Sequence, residues 1–153
     1  MGCMSRTIDY RSILVPVADN DETDKALDVA CRLAAEHGCS ISAVVVIEVP
    51  PVLPLDAHML EEEADAKLLL RRADAVAESY GIRALGRIVR GRDVGHAIVE
   101  EAITRKVELV VIGAPRGRRQ PFGHTVESVL KRAPCRVLLI APPRPAVAVR
   151  PAA

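Results

Sequence analysis

Five short aliphatic runs alternate with four stretches of helical periodicity, and this alternation narrows the fold more than any other feature of the chain. The runs cover residues 12–17 (SILVPV), 41–49 (ISAVVVIEV), 84–89 (ALGRIV), 108–112 (ELVVI) and 136–140 (RVLLI). Each has strand length and is rich in Val and Ile. Most are continuously apolar rather than alternating, which marks strands covered on both faces. The order β-α-β-α-β-α-β-α-β predicts one open five-stranded parallel sheet with right-handed crossovers. Helices on both faces make it a three-layer αβα sandwich. Aromatic residues make up only 2 % of the chain, so the core is read as Val, Ile, Leu and Ala.

The helices have readable boundaries. Thr23 is placed to cap a helix starting at Asp24, whose apolar face carries Ala26, Leu27, Ala30, Leu33 and Ala34. His37 and Gly38 end it. Pro50, Pro51 and Pro54 forbid regular structure after the second run. A helix is expected over 56–80, with Glu61, Glu62 and Glu63 near its positive end and Gly81 as its stop. The stretch 90–93 reads as a turn into a helix from 94 to about 106, 113–122 as a loop, and 123–132 as the last helix. With 153 residues the chain fits one domain. It divides into an extension over 1–10, a domain over 11–142 and a mobile Pro-rich tail over 143–153.

Several function classes are disfavoured. With 21 basic and 20 acidic residues the net charge is +1, too small to draw in nucleic acid or an anionic membrane. Scarce aromatics argue against a base-stacking platform. No apolar run reaches the roughly 20 residues that span a bilayer, and residues 1–11 show no hydrophobic signal core. A cytoplasmic location is expected. Cys3, Cys31, Cys39 and Cys135 form no C-x-x-C pair and no metal spacing with His. They read as reduced thiols. No Ser-His-Asp order or nucleophile elbow is present, so the chain is not expected to be an enzyme. His37, His58 and His96 read as surface residues. Asp19, Asp21 and Asp24 are placed to share Mg²⁺ with a phosphate, though capping and solvation explain them equally well.

In open parallel sheets, ligands lie beyond the carboxyl ends of the strands, where strand order reverses. The turns after the first, third and fourth strands are therefore singled out. The strongest signal follows the fourth strand: Gly113, Ala114, Pro115, Arg116, Gly117, Arg118, Arg119, Gln120, Pro121, Phe122, Gly123, His124, Thr125. Glycines permit close backbone approach, and the following helix offers unpaired N–H groups to an anion. Thr125 or His124 can add a side-chain hydrogen bond and the arginines charge-assisted ones. A plain surface loop hinged on glycine explains the same residues.

The strand over 12–17, the stretch Val110, Val111, Ile112, Gly113, the helix opened by Gly123, His124 and Thr125, and the closing run from Ala133 to Ile140 resemble the universal stress protein family. The resemblance extends from Tyr10 to about Pro142. It implies a Rossmann-like fold of the adenine nucleotide alpha hydrolase kind, frequent homodimers and, in one branch, adenine nucleotide binding. ATP or AMP is the implied ligand, with Mg²⁺ if it is ATP. Carried over by residue, the nucleotide would meet the first strand's end (Val15, Pro16, Val17, Ala18, Asp19), Val46 at the adenine, and Gly91 and Asp93 near the ribose. Gly113, Arg116, Gly117, Gly123, His124 and Thr125 would surround the phosphates. Three departures from the binding pattern stand out. Ala18 occupies the place of an adenine-contacting Asp, with Asp19 one residue late. Arg116 replaces the second glycine, with Gly117 one place on, and the loop to Gly123 is three residues short. His124 replaces a Ser or Thr. The resemblance to stress-protein domains of permeases and antiporters leaves a second expectation: a nucleotide-independent domain that dimerises through its last strand and docks on a membrane transporter.

Overall fold

The computed structural model describes residues 10–115 and 122–143. Its five strands are β1 (Ser12–Pro16), β2 (Ser40–Glu48), β3 (Ala84–Gly91), β4 (Leu109–Gly113) and β5 (Arg136–Ile140). They form one parallel sheet in the order β3-β2-β1-β4-β5. Strand order reverses between β1 and β4.

The helices are α1 (Asp21–His37), α2 (Leu60–Ser79), α3 (Val94–Thr104) and α4 (His124–Arg132). Alternate strand residues face opposite layers, as the period of two requires. Ile13, Val15, Ala43, Val45 and Val111 pack with Ala26, Leu27 and Ala30 of α1 and with Ala66, Ala73 and Ala77 of α2. Leu14, Val44, Val110 and Ile112 pack with Ile98 and Ala102 of α3 and with Val126 and Val129 of α4. The three expected layers and five parallel strands are thus observed.

Local boundaries differ from expectation where capping decides them. Asn20, not Thr23, caps α1: its Oδ1 accepts from the Thr23 N–H at 2.8 Å, and the helix starts at Asp21. Asn is as good a cap as Thr, and it stands where the chain is still extended. Gly38, at φ 70°, supplies the left-handed residue that ends the helix. The second helix starts at Leu60 rather than 56, because the stretch 50–57 is a series of turns held by side chains from the end of β3 and the residue after it. Arg92 donates to the Val49, Pro50 and Leu53 carbonyls, and Arg90 to the Ala57 carbonyl and the Glu63 carboxylate. β3 itself runs on through Arg90 and Gly91, residues expected to turn, because Glu48 of β2 still pairs with Gly91. The expected tail lies largely outside the described residues.

Candidate functional site

The two central strands part before they end. β1 stays paired with β2 as far as Pro16 opposite Val44, but its pairing with β4 stops at Leu14 opposite Val110. Beyond that point β1 and β4 diverge, and a cavity of about 400 Å³ opens between their carboxyl ends. This volume falls in the ~300–1,000 Å³ range of small-molecule sites, and the position is the switch point of the sheet.

Most of the wall is apolar. Pro16, Val17 and Ala18 come from the end of β1, and Val44 and Val46 from one face of β2. Val94 and Ile98, one turn apart, come from α3, Ile112 and Gly113 from β4, and Val126 from α4. Thr23, His124 and Thr125 are the polar side chains among the described lining residues.

Helix α4 aims its first turn at this opening. Its N-cap is Gly123, which has no side chain to satisfy the orphan amides. Gly123 and the first residues of α4 line the cavity, so the helix's partial positive charge is directed there. The His124 imidazole leans sideways: its Nε2 lies 3.0 Å from Oδ2 of Asp93. Oδ1 of Asp93 accepts from the His96 N–H at 2.8 Å and caps α3. These two bonds, the backbone one foremost, hold the Asp93 carboxyl below its ordinary range. Asp93 therefore ties the starts of α3 and α4 together.

The glycines of the motif have different jobs. A Cβ at Gly113 would lie 2.5 Å from the backbone of Glu22 and 2.6 Å from the Thr23 nitrogen. Gly113 is thus required for α1 to approach β4. A Cβ at Gly123 would meet no described atom within 4 Å. Gly95, which sequence reasoning passed over, is also crowded: its Cβ would lie 2.6 Å from that of Ser128 and 3.2 Å from the Thr125 carbonyl oxygen, where α3 and α4 touch.

Of the residues selected from sequence, the cavity gathers Pro16, Val17, Ala18, Val46, Gly113, Gly123, His124 and Thr125. Val15 is fully buried and packs into the α1–α2 layer, the opposite side of the sheet from Val44 and Val46. Asp19 lies on the surface, its Oδ1 3.6 Å from Nη1 of Arg72, which also pairs with Asp24. A guanidinium thus stands between two of the three carboxylates considered for Mg²⁺, and no group of three ligating side chains among the described residues fits a metal. Gly91 and Asp93 border a neighbouring hollow beside α3, not this cavity. Arg116 and Gly117 lie outside the described residues. Sequence reasoning did not select Thr23, Val44, Val94, Ile98, Ile112 or Val126, and named Pro115 only as part of the loop after the fourth strand. Val44 shares the face of Val46 and Ile112 adjoins Gly113, so both were in principle findable; Thr23, Val94, Ile98 and Val126 needed the three-dimensional arrangement of α1, α3 and α4.

Cys31 is buried in α1, and burial foremost, with Asp28 nearby, pushes its thiol up to about 11. The Cys135 thiol is also raised by burial. Cys39 donates to the Tyr10 carbonyl. His96 is exposed and pairs with Glu100 at 3.1 Å. No described helix is long and apolar enough to cross a membrane.

Residues 9–141 match the family model described as the universal stress protein family. UspA of Lactobacillus plantarum is 23% identical, with a TM-score of 0.71 over 86% of this chain and 97% of that one. A universal stress protein of Archaeoglobus fulgidus is 21% identical, with a TM-score of 0.73 over 86% and 98%. Another structure from Archaeoglobus fulgidus, in complex with dAMP, is 23% identical, with a TM-score of 0.67 over 86% and 98%. Further similar structures hold cAMP and, in Arabidopsis thaliana, AMP. No curated protein matches the sequence.

Proposed function

The chain belongs to the universal stress protein family, and from that premise we propose that it is a regulatory module that binds an adenine mononucleotide of the AMP type between β1 and β4. The observation that carries this reading is the divergence of β1 and β4 into an apolar cavity faced by the uncapped start of α4. The base takes the slot of Val17, Ala18, Val44 and Val46, where burying its rings is favourable. The sugar crosses Gly113, and the phosphate meets the amides at the start of α4 and the Thr125 hydroxyl. Relatives that hold dAMP, cAMP and AMP support a ligand of this class. A loop three residues short of the triphosphate-binding pattern favours a monophosphate over ATP and gives Mg²⁺ no role. With Thr23, His124 and Thr125 as its polar side chains, the described lining suits recognition rather than turnover, and the module acts in the cytoplasm as a binder.

A thermal-unfolding series with millimolar AMP, ADP, ATP and cAMP, with and without Mg²⁺, tests the reading. AMP is expected to raise Tm, since ligand at a hundred times Kd adds about 2.7 kcal/mol to stability, and Mg²⁺ is expected to add nothing. A flat series sinks the proposal. Ala18, which brings no carboxylate to the base, favours a second reading: a nucleotide-independent dimer that docks on a membrane transporter. A flat series together with a stable dimer would select it.

A further inference from the structure

Among the described residues of the cavity wall, Thr23 is the one buried polar side chain: the residue is 3% exposed, while His124 is on the surface and Thr125 half-buried. Its backbone N–H is taken by Asn20. Its hydroxyl makes no hydrogen bond among the described residues. The fully enclosed orphan among the described side chains is Oε2 of the neighbouring Glu22, not the Thr23 hydroxyl. A threonine early in a helix commonly turns its hydroxyl to a local backbone group; here it makes no such bond among the described residues, and the residue lines the space between β1 and β4.

The placement has a cause. Because Gly113 lacks a Cβ, the backbone of Glu22 and Thr23 comes against the end of β4. This contact carries the first turn of α1 into the gap where β1 and β4 have separated, and Thr23 becomes part of the wall. A valine there would fill the same volume with no polar atom. A hydroxyl in an otherwise apolar wall adds nothing to the packing that a methyl would not, but it offers a hydrogen bond to whatever fills the cavity.

We infer that the Thr23 hydroxyl is a ligand-binding group that donates a hydrogen bond to an oxygen of the nucleotide where it crosses Gly113, on the ribose or on the first phosphate. The inference rests on the nucleotide reading of the cavity and adds to it a residue from α1, on the opposite side of the sheet from α3 and α4. A hydroxyl both donates and accepts, so it serves either oxygen; the chemistry recognised is an oxygen acceptor at the crossing point.

The test is calorimetric titration of AMP and adenosine into the unaltered chain, Thr23→Val and Thr23→Ser. Valine keeps the branched shape and removes the hydroxyl; serine keeps the hydroxyl. Thr23→Val is expected to weaken AMP binding about five- to thirtyfold, the loss of one buried hydrogen bond. Its ligand-free Tm should stay at or above that of the unaltered chain, and Thr23→Ser should retain most of the affinity. The same penalty with adenosine assigns the bond to the ribose, and a penalty confined to AMP assigns it to the phosphate; both support the inference. An unchanged AMP affinity in Thr23→Val, with the unaltered chain binding AMP, overturns it. Absence of AMP binding by the unaltered chain is a different result: it overturns the reading of the cavity itself and takes the Thr23 inference with it. Should Thr23→Val fail to fold, Thr23→Ala supplies the comparison, because it also removes the hydroxyl and relieves any crowding.

Discussion

Gly113 and Gly123 bound one loop and look alike in sequence, but substitution is expected to separate them. In Gly113→Ala the new methyl would fall on the α1 backbone, which cannot yield as a flexible side chain can. A loss of about 2–3 kcal/mol is expected, in the upper range of overpacking effects, measured by urea unfolding. Gly123→Ala replaces the N-cap of α4 at an ordinary negative φ, with no described atom within 4 Å of the new methyl, so the loss should be limited to that of a poorer cap, about 0.5–1 kcal/mol. The same variant should lose much of the Tm increase caused by AMP, because the methyl sits where an anion would approach the amides. If Gly123→Ala keeps the full ligand shift, the phosphate does not sit at the start of α4. The glycine spacing marked both positions as places where a backbone can be approached closely. Whether what approaches is helix or ligand depends on α1, which lies far away in sequence.

At the scale of elements, the site depends on how α3 and α4 are held together. Gly95 against Ser128 sets their distance, and Asp93 bonded to His124 and to the His96 amide fixes their starts. Replacing Asp93 by Ala removes a helix cap and should cost about 1 kcal/mol at pH 7. The sign of the pH dependence follows from the lowered carboxyl of Asp93. A group depressed on folding contributes stability above its unfolded value, about 3.9, and loses it as pH falls through the folded value. The gap in unfolding free energy between the unaltered chain and Asp93→Ala should therefore be full at pH 6 and narrow progressively below about pH 4. A gap that is constant from pH 7 to pH 3 would show that the charge of Asp93 contributes nothing. Asp93 was legible in the sequence as a residue near the site, but its task was not. Capping α3 is local and readable from the helix boundary, whereas the reach to His124 depends on the packing of two helices.

At the scale of the whole molecule, the two edges of the sheet differ. The outer strand β3 carries Arg87 and Arg90, which pair with Glu101 and Glu63 and discourage further strands from adding. The opposite edge, β5, presents Val137, Leu138, Leu139 and Ile140, all only half-buried. An edge that is apolar beyond Arg136 invites a second copy across a two-fold axis. Sedimentation at tens of micromolar is expected to give the mass of a dimer, and Leu139→Lys that of a folded monomer. A monomeric unaltered chain would remove this expectation and leave β5 as an edge shielded in some other way.

The alternation of aliphatic runs with helical periods determined the layers and the parallel strands, because each run is local and covered on both faces whatever its neighbours are. The same runs and glycines singled out the carboxyl ends of the first, third and fourth strands, and the cavity opens at those of β1 and β4. Only tertiary structure decided what lines it. The separation of β1 from β4 after Leu14, the entry of Thr23 from α1 and the turning of Asp19 towards Arg72 all arise between segments distant in the chain. Local patterns carry no information about such contacts, since they depend on which surfaces the packed helices bring within a few ångströms of one another.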